Sequence, residues 1–180
     1  QDVAETAEPV VQRDPPYVLQ QVPELSIEVT SEAVRNDGRL RGQYTCEGLH
    51  DRTPPITWSG APDETQSFVL IMEDAETDEP PGGLWTHWIV YSIPPDATSI
   101  GSIPVTSADL ANGAKLGTND YGAAYYLGPC PKPSLIIGPN IASQMSPASL
   151  RPYYFRIYAL DIDVELGPGA DRNELLQAIE

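Results

Sequence analysis

Proline and glycine set the first limit on this chain. With 19 prolines and 14 glycines in 180 residues, backbone ladders are interrupted too often for a helical bundle. The pattern predicts short strands joined by fixed turns. Tyrosine is common, with nine, while phenylalanine and methionine number two each. An apolar fraction of 41% supports one core, and the length suits one domain with a tail.

Charge removes whole classes of partner. Twenty-six acidic side chains face ten basic ones, a formal net charge of −16. Such a surface repels a phosphate backbone, so nucleic acid is not an expected partner. It repels an anionic membrane surface as well. No apolar run approaches the roughly 20 residues that span a bilayer, so no transmembrane segment is expected. The chain starts at Gln1, and its first methionine is Met72. From this a removed secretory signal is expected, and with it a periplasmic or secreted protein. Cys46 and Cys130, the two cysteines, lie 84 positions apart. Export would permit a disulfide, and the sequence leaves a bridge and two free thiols both open.

Residues 1–23 carry Pro9, Pro15, Pro16 and Pro23 among acids and lack apolar periodicity. They read as an extended acidic arm, with one domain over 24–180. Leu25-Ser26-Ile27-Glu28-Val29 alternates as a half-buried strand does. Asn36-Asp37-Gly38 marks a turn, and Ile56-Thr57-Trp58 a short strand. Phe68-Val69-Leu70-Ile71-Met72 is an unbroken apolar run, the mark of a strand buried on both faces. In the strand over 85–93, strict alternation puts Trp85, His87, Ile89, Tyr91 and Ile93 on one face. Residues 153–161 form another strand, rich in aromatic and β-branched side chains. Asp171 and Glu174 have capping-box spacing before a short C-terminal helix. The whole reads as mainly β: a sandwich of two antiparallel sheets with a few short peripheral helices.

Two clusters could carry chemistry. The first is Glu73-Asp74-Ala75-Glu76-Thr77-Asp78-Glu79, followed closely by Trp85 and His87. An extended chain puts Asp74 and Glu76 on one side. Two carboxylates, an imidazole and an indole at a sheet end could bind an anion through a charged His87. They could equally make His87 a general base in a hydrolase with Asp74, or hold a divalent cation. The same residues also read as a solvated acidic loop beside a core histidine. No nucleophile elbow, zinc-protease or P-loop motif supports catalysis. The second cluster runs from Gly117-Thr118-Asn119-Asp120-Tyr121-Gly122 through Tyr125-Tyr126-Leu127-Gly128-Pro129-Cys130-Pro131. Its glycines and prolines force a fixed loop whose backbone N–H groups can point at an anion, or one that simply covers the core.

From about Leu25 to the end, the chain resembles the phosphatidylethanolamine-binding protein family (Raf kinase inhibitor protein-like), most closely its bacterial branch. The landmarks occur in the family's order. They are Tyr44-Thr45-Cys46-Glu47-Gly48, Pro54-Pro55-Ile56-Thr57-Trp58-Ser59-Gly60, Asp74-Ala75-Glu76, Gly82-Gly83-Leu84-Trp85-Thr86-His87-Trp88, Asn119-Asp120-Tyr121-Gly122 and Gly128-Pro129-Cys130-Pro131. The resemblance implies a Greek-key sandwich with a small anion pocket for phosphate or a phosphorylated headgroup. Asp74 and Glu76 stand at the acids of the family's Asp-Pro-Asp-x-Pro motif. Trp85, His87 and Gly128 stand at its pocket tryptophan, histidine and glycine. Tyr153 stands at the tyrosine of its His-Arg-Tyr motif, which places Arg151 where a second pocket histidine would be.

The departures matter. Ala75 replaces the motif proline, Glu76 is a methylene longer than aspartate, the segment 134–150 is longer than usual, and the chain stops at Glu180 where relatives continue. Arg151 stays charged and binds oxyanions in a bidentate manner, so it favours an anion and disfavours proton shuttling. The expectation is a non-catalytic binding protein without a cofactor or bound metal. It would recognise a small phosphorylated or carboxylated ligand through Asp74, Glu76, Trp85, His87, Gly128, Arg151 and Tyr153. Asp74 is expected to orient His87 and raise its pKa, and Gly128 to allow close backbone approach. The alternatives are an interaction protein acting through residues 1–23 or the 134–150 insert, and a hydrolase using His87 and Asp74.

Overall fold

The computed structural model describes residues 27–46, 48, 52–74, 84–104, 110, 112–129 and 153–179. The proposed arm, the 134–150 insert, Glu76 and Arg151 lie outside these residues. Among the described residues, seven strands form two antiparallel sheets. In chain order they are β1 (Glu28–Thr30), β2 (Ile56–Ser59), β3 (Ser67–Asp74), β4 (Trp85–Ile93), β5 (Ser99–Ile100), β6 (Lys115–Leu116) and β7 (Tyr153–Leu160). The smaller sheet has the order β1-β2-β5 and the larger β6-β4-β3-β7. Among the described residues there are also a 3-10 turn, Gly42–Tyr44, and one helix, α1 (Arg172–Ile179). This is the mainly-β sandwich that the turn density and the alternating strands predict.

β3 is buried along its whole length, as its unbroken apolar run requires. On one face Phe68, Leu70 and Met72 join Trp88 and Val90, and meet Ile56, Trp58 and Ile100 of the smaller sheet. On the other, Val69 and Ile71 pack with Ile89, Tyr91, Val164 and Leu175 of α1. Burying apolar side chains of this size is worth about 1.5–3 kcal/mol each. The Asn36-Asp37-Gly38 turn closes with Gly38 at φ 78° and its N–H on Arg35 O at 2.8 Å. α1 starts on a reciprocal capping box: Glu174 N–H donates to Asp171 Oδ1, and Asp171 N–H to Glu174 Oε2, both at 2.9 Å.

Strict alternation along β4 does not hold. Met72 pairs with Trp88, but the next pair is Glu73 with Thr86, then Asp74 with Trp85. His87 is therefore an extra residue, a β-bulge. A second irregularity follows Val90 and brings Ile93 opposite Phe68, with Ser92 at φ 51°. Paired residues share a face, so Trp85 lies with Asp74 and Tyr153, on the side of the inter-sheet core. Ile89 and Tyr91 lie on the opposite side, and Ile93 returns to the inter-sheet core. The uniform face expected over 85–93 is thus broken twice. Periodicity alone carries no trace of these steps.

On the far face of the larger sheet, Glu73 is 1% exposed and is clamped by Arg156 of β7 and Arg172 of α1. The two arginines tie the sheet to the helix. Cys46 is disulfide-bonded, and the only other cysteine in the chain is Cys130. The backbone N–H of Cys46 donates to Pro129 O at 3.0 Å.

Candidate functional site

The bulge decides the geometry at the end of the sheet. His87 falls between Thr86, which faces Glu73's side, and Trp88, which faces the inter-sheet core. Its imidazole turns to the same face as Asp74 and Trp85. There its ring meets Tyr153 edge-on at 5.5 Å and Tyr121 at 5.5 Å. Trp85 meets Tyr121 at 5.4 Å, also edge-on. Asp74 is 4% exposed and His87 2%, while Tyr121 stands 52% exposed at the rim. Asp74, Trp85, His87 and Tyr153 thus come together on one face.

The second loop builds the opposite wall. His87 Nδ1 lies 2.8 Å from Leu127 O. A carbonyl can only accept, so Nδ1 carries the proton and any ligand contact falls to Nε2. Leu127 N–H in turn donates to His87 O at 3.3 Å. Tyr126 sends its hydroxyl to Tyr44 O, and burial raises its pKa far above the usual tyrosine value. Gly128 follows. A Cβ there would stand 2.6 Å from Tyr44 O and 3.1 Å from Thr45 backbone atoms. The close approach that demands glycine is to the protein's own 3-10 turn.

Electrostatics correct one expectation. The pKa of His87 is lowered, because burial outweighs the opposing pull of the Leu127 carbonyl and of Asp74 and Asp120. Asp74 acts on the imidazole through its charge, and the Leu127 carbonyl fixes the ring's tautomer. The free site therefore holds a neutral imidazole near neutral pH. Trp85 adds an indole N–H that is buried without a hydrogen-bond partner, a donor available to a ligand.

Three residues of the site have no role that the sequence alone assigns. Asn119, 3% exposed, donates from Nδ2 to His87 O at 3.2 Å and Tyr125 O at 2.9 Å. Its Oδ1 accepts from Tyr121 N–H at 3.1 Å and Ala123 N–H at 3.0 Å. Asp120 Oδ2 accepts from Thr86 N–H at 2.6 Å. Tyr121 lies across Trp85 and His87. The signal was the Asn119-Asp120-Tyr121-Gly122 motif itself, which offered no role without the bulge it braces. The metal reading gains no support: among the described residues, no group of three or more His, Cys, Asp or Glu side chains could hold an ion. No helix among them is long and apolar enough to cross a membrane.

A two-sheet sandwich with a buried histidine at the end of one sheet, walled by aromatic rings, defines a small-molecule-binding protein. The chain belongs to the phosphatidylethanolamine-binding protein family, whose sequence profile matches residues 30–180. It is 35% identical over 150 residues to a UPF0098 protein of Methanothermobacter thermautotrophicus, covering 83% of this chain and 87% of that one. It is 32% identical to a UPF0098 protein of Chlamydia trachomatis, covering 86% and 89%. Among solved structures it is similar to a putative phosphatidylethanolamine-binding protein homologue of Chlamydia trachomatis. That match has a TM-score of 0.66 and 30% identity, and covers 87% of this chain and 89% of the other. It is also similar to Escherichia coli YbcL, reported as a new member of the mammalian family. There the TM-score is 0.65 and the identity 26%, over 85% and 88%.

Proposed function

We propose that the chain binds a small oxyanion, of phosphate or carboxylate type, at the Asp74–Trp85–His87–Tyr153 face and does no chemistry on it. The observation that carries this reading is His87: buried, tautomer-fixed by Leu127 O, and enclosed by two tyrosine rings. An anion arriving at Nε2 favours the imidazolium, so binding raises the pKa of His87 and takes up a proton. By sequence, Arg151 adds a second positive charge, Glu76 a second acid, and Gly128 the turn behind the wall. The negative charge of Asp74 beside the ligand holds the affinity to a modest level.

The test is calorimetric titration with inorganic phosphate, phosphoethanolamine and acetate at about pH 6 and about pH 8. Acetate is the cleanest probe, because its own charge is constant across that range. Binding heat at the lower pH, weaker at the higher and lost in His87→Ala, is the expected result. Absence of heat with all three overturns the reading. We also propose an oxidising compartment, periplasmic or extracellular, supported by the disulfide at Cys46. Fractionation of the source cells that leaves the protein in the cytosol would refute it.

A further inference from the structure

A bulge leaves backbone groups without ladder partners, and something must supply them. Here the 117–127 loop does so along the free edge of β4. Gly117 N–H donates to Ile89 O at 3.0 Å and Asp120 N–H to Thr86 O at 3.1 Å. The Asp120 carboxylate closes the pair by accepting from Thr86 N–H. One residue thus satisfies both backbone groups of Thr86, as a neighbouring strand would. At His87 itself, the carbonyl accepts from Asn119 Nδ2 and from Leu127 N–H. Among the described residues, Thr86 and His87 receive their bonds on this side of the bulge from Asn119, Asp120 and Leu127.

We propose that Asp120 is the positioning residue of the site, holding the β4 bulge so that His87 faces Asp74 and Tyr153. Asn119 assists by anchoring the His87 carbonyl and the backbone of Tyr121. Asp120 does not touch the ligand in this assignment. Its carboxylate serves as an acceptor at a fixed place, and its negative charge is incidental. Without the brace, β4 can recover regular pairing with β3. A one-residue slip turns a side chain to the other face of a sheet. His87 would leave Leu127 O and the two tyrosine rings together. Among the described residues, the ionisable groups facing His87 are Asp74 from β3, Tyr153 from β7, and Asp120 and Tyr121 from the loop.

This assignment concerns the site proposed above, but its test needs no ligand. Asp120→Asn keeps an acceptor oxygen in place and removes the charge. Asp120→Glu keeps the charge and carries the acceptor one methylene further out. The readout is the nitrogen-15 spectrum of the His87 imidazole, which separates the Nδ1–H tautomer from the other, together with ring-current shifts from Tyr121 and Tyr153. The chain has two histidines, so loss of a signal in His87→Gln assigns the resonance. Asp120→Asn should retain the tautomer and the ring-current shifts, with the pKa of His87 moved slightly down because a negative neighbour is gone. Asp120→Glu should lose both. The proposal is overturned if Asp120→Glu keeps the signature or if Asp120→Asn loses it. Anion titration of the same two variants then reads the site separately. Asp120→Asn should bind acetate within about threefold of the parent at about pH 6, and Asp120→Glu at least about tenfold more weakly. Failure of the parent to bind any anion would strike the proposed function and leave the spectroscopic result standing.

Discussion

A single imidazole makes stability depend on pH in a direction that can be worked out. Burial lowers the pKa of His87 below its ordinary 6.5. Between the folded and unfolded pKa values, the unfolded chain binds more protons than the folded one. Stability then rises with pH through that window and is fully present above the unfolded value. It is lost progressively as pH falls below about 6.5 towards the folded value. Urea midpoints measured across this range should show the slope, and His87→Gln should flatten it. A slope unchanged by that substitution would place the titrating group elsewhere. An anion at Nε2 opposes the effect, because it favours the imidazolium in the folded state.

At the scale of elements, the fold was legible wherever a run of side chains had one environment. The apolar run of β3, the Asn-Asp-Gly turn and the Asp171–Glu174 capping box all stand where local chemistry put them. β4 was legible as a strand and misleading as a face, because one inserted residue changes the side of every residue beyond it. Trp85 and His87 do share a face, but it is the bulge, and not strict alternation, that puts them there. The members of the candidate site came from motif order. Asn119 and Asp120 escaped because their work is done on backbone groups, and residue types alone do not reveal a backbone partner. Glu73 escaped for a related reason: it read as one more acid in a run of five, yet it is the buried anchor of two arginines. Removing it should cost about 2–3 kcal/mol, below the usual cost of breaking a buried pair, since Arg156 and Arg172 keep some access to water. Denaturation of Glu73→Ala should show that loss. The His87 spectrum should stay as in the parent, because Glu73 and His87 lie on opposite faces of the sheet. A disturbed imidazole would mean that the two faces are coupled through β3.

For the molecule as a whole, charge and cross-link pull in opposite directions. A net charge of −16 favours solubility and strains the compact state by self-repulsion. The disulfide at Cys46 restricts the unfolded chain, and a loop closed over the 84 positions to Cys130 is long enough for a large entropic effect. Cys46→Ser should therefore lower the unfolding free energy by about 2–5 kcal/mol. The denaturant midpoint should fall while the m-value rises, because an uncrosslinked denatured chain exposes more surface. Raising the salt should raise the midpoint of variant and parent alike, since screening weakens the repulsion and leaves the cross-link untouched. The two contributions can thus be told apart in one series of urea titrations at two ionic strengths. If the midpoint of Cys46→Ser matches that of the parent, the hydrogen bonds from Cys46 N–H to Pro129 O and from Tyr126 to Tyr44 hold the His87 wall by themselves. The bridge would then add nothing to stability.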